Sequence, residues 1–144
     1  MSDLFAVLDM NQPGIDTMMK NREYRILEKE KDSTANLLYY TNLERTEGAT
    51  WVRSISFTDQ TTAKTKGRVI NYRTYRKKEY QEIMKWLLNN NFKTSSKVNY
   101  GREIITIYSD GDRKVLIKVS VQKLPNGTPV SSYEVEIATL SKIK

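Results

Sequence analysis

Cysteine and histidine are both absent from this 144-residue chain. Without cysteine there is no thiolate nucleophile, no disulfide and no cysteine-based zinc site within one chain. Without histidine there is no Ser-His-Asp triad and no imidazole acid–base step. Carboxylates, lysine and tyrosine are the side chains left for catalysis, and the expectation is that the chain is not an enzyme. Its route back to catalysis is a pair of facing carboxylates in a deep pocket. No metal and no cofactor is expected. Asp110-Gly111-Asp112 opens like a calcium loop, but Val121 stands where the closing glutamate belongs. Gly101, Gly111 and Gly127 are too scattered to cradle a phosphate at a helix start.

Long apolar runs are missing too. None approaches the roughly 20 residues that cross a bilayer, so a membrane-spanning segment is not expected. Met1-Ser2-Asp3 has no basic n-region and no long apolar h-region follows it, so no export signal is visible. A start that replaced a removed signal would read the same. The lack of cysteine suits an oxidising compartment and suits the cytosol as well.

What is present describes a folded domain. The chain is 38% apolar and 10% aromatic, too aromatic for disorder. At 144 residues it can bury about two-thirds of its unfolded surface, so neither metal nor disulfide is needed to fold it. The net charge of +7 is uneven. Residues 1–66 carry 9 basic and 10 acidic side chains, giving −1; residues 67–144 carry 15 and 7, giving +8. The densest basic stretch, 64–78, holds Lys64, Lys66, Arg68, Arg73, Arg76, Lys77 and Lys78 without an acid.

The most informative pattern is self-similarity. Met18-Met19, Asn21 and Tyr24-Arg25 are echoed by Leu87-Leu88, Asn90 and Phe92-Lys93. Leu37–Asn42 is echoed 68 residues later by Ile105–Asp110. Leu4–Leu8 reads as one helical turn or a strand, ending before a Gln12-Pro13-Gly14 break. Ile15, Met18 and Met19 have helical spacing, with Asn11 or Asp16 as cap. Strands are expected from Tyr24, over Leu37–Thr41, over Trp51–Phe57 and over Arg68–Tyr75. The surest helix is 77–90, where Tyr80, Ile83, Met84, Leu87 and Leu88 form an apolar stripe expected to be buried, with Thr74 as cap. Asn89-Asn90-Asn91 ends it, as residues that tolerate left-handed backbone do. Strands follow over Phe92–Val98, Arg102–Tyr108, Val115–Val121 and Val130–Thr139, with hairpin signals at Asp110-Gly111 and Asn126-Gly127.

The expected fold is therefore α+β and a single domain over 1–144. Two α-β-β-β repeats, at about 15–75 and 76–140, give an antiparallel sheet of about six to eight strands with helices packed on one face. A tandem helix-plus-strands unit with an aromatic after each helix (Tyr24, Phe92) resembles small exported bacterial proteins made of two such modules. The β-lactamase inhibitor proteins and small envelope lipoproteins are similar in architecture. The resemblance covers about 15–140. It implies a periplasmic or secreted binding protein of the cell envelope, and it offers no catalytic residues to carry over.

Two partner classes follow from the residues. The first is another protein, held by Tyr39, Tyr40, Tyr72 and Tyr108 on a sheet face the helices leave open, with Trp86 off the helical stripe as a further anchor. The second is a nucleic acid or other anionic polymer, held by Arg68, Arg73, Arg76, Lys77 and Lys78 with Tyr72 and Tyr75 interleaved. Each has a bland counterpart. Cross-strand tyrosines stabilise sheets, and basic residues on an edge strand discourage aggregation. Nothing in the pattern sets an oligomeric state.

Overall fold

The computed structural model describes residues 1–31, 35–42, 53–61 and 65–142. Asp32, Trp51, Lys64 and the side chain of Lys66 lie outside the described residues. Within them the chain is a mixed α/β protein of three helices and eight strands. The order is α1 (Ser2–Leu8), α2 (Gln12–Asn21), β1 (Arg25–Lys31), β2 (Ala35–Asn42), β3 (Arg53–Thr61), β4 (Thr65–Thr74), α3 (Lys77–Asn89), β5 (Lys93–Tyr100), β6 (Glu103–Ser109), β7 (Lys114–Lys123) and β8 (Pro129–Lys142). Four strands follow α2 and four follow α3, matching the number of strand segments read from the sequence and exceeding the three of an α-β-β-β unit in each half. The chain divides into two compact units, Met1–Tyr72 with Ile137–Lys144, and Arg73–Glu136.

In the first unit, Asn11 caps α2 by accepting the Gly14 N–H at 2.9 Å. The expected break at Gln12-Pro13-Gly14 is instead the first turn of this helix. Proline is tolerated there because the N–H it lacks has no partner in a first turn. α2 ends in a Schellman motif: Tyr24 N–H reaches Met19 O at 2.9 Å and Glu23 N–H reaches Lys20 O at 3.0 Å, with Glu23 at φ 61°. Strands β1, β2, β3 and β4 are neighbours in sequence order. β2 and β3 pair antiparallel, with Leu38 opposite Phe57 and Tyr40 opposite Ile55. Period two puts those four side chains on one face. There they form a core with Val7 from α1 and with Ile15 and Met19 from α2.

Arg68 closes this core at its rim. Its guanidinium donates to Val7 O at 2.8 Å, to Met10 O at 2.5 Å and to both oxygens of Asp59, at 2.5 and 2.9 Å. α1 is only 7 residues long; its turn returns the Met10 N–H to Val7 O at 3.2 Å, and the carbonyl oxygen has a second lone pair for a further donor. A side chain from β4 supplies it.

In the second unit, α3 has the same exit. Phe92 N–H reaches Leu87 O at 3.0 Å and Asn91 N–H reaches Leu88 O at 3.2 Å, with Asn91 at φ 63°. Of the stripe expected to be buried, Ile83 and Leu87 are buried and Tyr80 and Met84 are half-buried. Leu88 is 64% exposed, a correction. It lies next to Leu87, a 100° step around the helix, and so beyond the edge of the covered face. Thr74 is not the cap residue either; Arg76 holds that position, and Thr74 Oγ1 accepts its N–H at 3.1 Å while donating to Glu79 at 2.7 Å.

The second unit's strands run in the order β8, β7, β6, β5. β6 and β7 pair antiparallel as expected, with Tyr108 opposite Val115 and Thr106 opposite Ile117. Tyr80 of α3 stacks on Tyr133 of β8 with ring centroids 4.4 Å apart. That contact fixes which face α3 covers. The Asp110-Gly111 hairpin is a turn: Asp110 Oδ1 accepts the Asp112 and Arg113 N–H groups and Oδ2 accepts the Arg113 guanidinium. Those bonds, the Arg113 N–H foremost, hold the Asp110 carboxyl below its usual range.

Candidate functional site: an uncovered sheet face and a basic helix start

The sheet face of the second unit that α3 does not cover is aliphatic. Thr106 and Tyr108 share a face with the buried Val115 and Ile117. Alternation then puts Ile105, Ile107 and Leu116 on the opposite face. Ile107 sits directly opposite Leu116, and Ile105 opposite Val98 of β5. Ile105, Ile107 and Leu116 are half-buried, Val98 is 43% exposed and Tyr100 is 63% exposed. A polar rim follows on β7 and β8. Glu134 pairs with Lys118 at 2.9 Å and also with Arg73. Ser120 donates to Glu103 at 3.1 Å. The apolar centre thus has a charged and polar border on β7 and β8.

The tyrosines named from sequence lie elsewhere. Tyr40 is 1% exposed; its ring meets Phe57 edge-on at 5.7 Å and its hydroxyl donates to Asp16. Burial first, then the Asp16 carboxylate, pushes its phenol above the ordinary tyrosine value. Tyr72 is packed against the first-unit core. Tyr108 is on the covered face, near enough to Tyr80 that it joins burial in raising the Tyr80 phenol. So Tyr40, Tyr72 and Tyr108 do not present the open face assigned to them. An aromatic ring is the largest apolar body available to a strand, and here the helices cover it. Tyr39 does lie on the face opposite Tyr40, paired with Ser56 and half-buried. Trp86 is half-buried, its ring 6.0 Å from that of Phe92, with Arg113 over the other aromatic at 5.2 Å.

The basic residues also separate. Arg68 is committed to Asp59 and two carbonyls, and Arg73 to Glu134. Arg76 is 4.0 Å from Glu79. Lys77 and Lys78 are exposed in the first turn of α3. Among the described residues no three acidic side chains gather as metal ligands, and no helix is long and apolar enough to cross a membrane.

The residues missed from sequence are Val98, Ile105, Ile107 and Leu116. Their signal was available. Ile104-Ile105-Thr106-Ile107-Tyr108 has no polar alternation, as a strand wetted on one face should have. Comparison with protein-family models, with curated proteins and with solved structures returned no match to this chain.

Proposed function

We propose that the chain is a non-catalytic protein-binding module of the bacterial cell envelope. The observation that carries the binding reading is the aliphatic face of the second unit, Val98, Ile105, Ile107 and Leu116 with Tyr100 beside them. Apolar surface of this kind is favoured in contact with protein at about 25 cal/mol per Å² removed from water. The envelope location rests on the resemblance of the tandem architecture. Three features support reading that architecture as a repeat. Both helices exit through the same Schellman geometry, 68 residues apart at Tyr24 and Phe92. Their buried side chains, Ile15 with Met19 and Ile83 with Leu87, keep the same offset. The first strand after each helix is irregular at the same place, between Ile26 and Glu28 and between Thr94 and Ser96.

Affinity capture from the native cell extract, repeated at low and high salt, tests the reading. A protein partner retained at high salt and lost on Leu116→Glu or Ile107→Glu is the expected result, because apolar contact is little screened by salt. The rival is anionic-polymer binding through Lys77 and Lys78. Recovery of nucleic acid alone, falling steeply with salt and lost on Lys77→Ala with Lys78→Ala, replaces the module reading with it.

A further inference from the structure

The geometry points to β5 as an edge that accepts an extended acidic segment of a partner protein as an additional strand; this inference rests on the protein-binding reading. β5 ends the strand order of its unit, paired with β6 alone among the described residues. All eight of its residues are exposed. A terminal strand turns every second N–H and C=O outward, where another extended chain can pair with them.

Edges are usually guarded, and the two units differ in the guard. β1, the first strand of its unit, reads Arg-Ile-Leu-Glu-Lys-Glu-Lys, with five charged residues of seven. Dense charge of both signs on a strand discourages pairing. β5 reads Lys-Thr-Ser-Ser-Lys-Val-Asn-Tyr, with two lysines and neither acid nor proline. After its bulge, Ser96–Tyr100 runs in unbroken register against Glu103–Ile107. Five regular residues are enough to seat a short strand.

Side-chain placement says what the strand should carry. Val98 and Tyr100 point to the uncovered face, since their partners there are Ile105 and Glu103. Lys97 points to the other face, opposite Thr106. A guest that alternates apolar and acidic residues therefore extends the aliphatic face on one side and meets Lys97 on the other. Charge also chooses against a second copy of this chain. Its β5 offers only lysines, and like charges across a pair are destabilising. The unit as a whole is basic, with 12 Lys+Arg against 7 Asp+Glu over residues 73–136.

The test titrates the full, isotope-labelled chain with acetyl-Glu-Val-Glu-Val-Glu-Val-Glu-amide and follows amide hydrogen exchange by NMR. At 90% occupancy the outward amides of β5 exchange about tenfold more slowly, because only the unbound tenth exchanges. The lysine version of the peptide, and the acidic peptide N-methylated at alternate residues, leave β5 unprotected. Lys97→Glu reverses the preference toward the lysine peptide. Unchanged β5 exchange at millimolar acidic peptide overturns the proposal, and so does equal protection by the lysine or N-methylated probe. A native partner lost on Leu116→Glu but kept on Lys97→Glu also overturns it while leaving the module reading intact. Capture of no salt-resistant protein removes the module reading, and the peptide result is scored separately from that outcome.

Discussion

The two units put the same local device to different use. Each has a helix with two buried aliphatic positions four residues apart, a left-handed residue, and an aromatic that enters a strand. Around that device the first unit adds polar ties. Arg68 donates to the Val7 and Met10 carbonyls where α1 ends, and Asp16 accepts from the buried Tyr40. At the position that matches Asp16 by the 68-residue offset, the second unit has Met84, and the matching tyrosine, Tyr108, lies in the Tyr80–Tyr133 neighbourhood. The second unit also leaves aliphatic side chains on the face that α3 does not cover, and an edge strand with two charged residues where β1 has five. The lesson is that the two units share the helix-to-strand corner and diverge in the polar contacts of the core and on the outer surfaces of the sheet.

Matched core truncations probe the shared device and carry the largest expected effects. Leu87 is fully buried and Met19 is 3% exposed. Each sits on the buried face of its helix and supplies the carbonyl that its Schellman motif uses. Leu87→Ala and Met19→Ala should each cost about 3 kcal/mol, the usual transfer-plus-cavity loss for a large core side chain. Urea denaturation measures this. A cost below about 1 kcal/mol for one of them would show that only the other helix is cemented by its core.

The polar ties of the first unit come next. Arg68→Leu removes the donor to two carbonyls and leaves Asp59 without its partner, so it should cost about 2–3 kcal/mol. Unfolding should start in residues 1–10, detectable as faster hydrogen exchange there. Loss of stability without that local signature would mean that Arg68 acts by charge and not by closing α1.

Tyr40→Phe should cost about 1 kcal/mol at neutral pH, the net worth of one partly buried hydrogen bond. It also has a pH signature. The folded phenol titrates above the ordinary value of 10.0. A group with a raised folded pKa contributes its full stability below the unfolded pKa and loses it as pH rises beyond that. Wild type should therefore lose stability above about pH 10, and the phenylalanine variant should lose less. Parallel alkaline limbs in the two proteins would remove Tyr40 as the cause.

Much of this contrast was legible in the residues, and the illegible part has a physical reason. Periodicity gave α3 and the strands because apolar spacing reports directly on which face is covered. The Asn91 exit and the turns at Gly111 and Gly127 were legible because few residues suit positive φ. The rest depended on partners distant in sequence. Arg68 reads as one more cation in a basic run until Asp59 and the α1 carbonyls stand beside it. Tyr40, Tyr72 and Tyr108 alternate with polar or aliphatic neighbours in ways that do not say which face receives a helix. The absent polar face of β6 was visible, but it reads equally as a strand buried on both sides.

The smallest effect separates the two corners themselves. Glu23 and Asn91 occupy the same left-handed position, at φ 61° and 63°. Asparagine visits that region at little cost, whereas a glutamate side chain crowds the carbonyl oxygen. Glu23 also sets a negative charge just past the C-terminus of α2, against the partial negative charge of the helix end. Its side chain is exposed, so replacing it removes no packing. Glycine adopts the conformation freely but has more backbone freedom to lose on folding, which offsets part of the gain. Glu23→Gly should thus stabilise the protein by about 0.5 kcal/mol, while Asn91→Gly should be neutral or slightly destabilising. Thermal unfolding of the two single variants and the double variant checks this. Equal shifts at both positions would show that the asparagine is under the same strain as the glutamate, and the two corners would then be energetically alike.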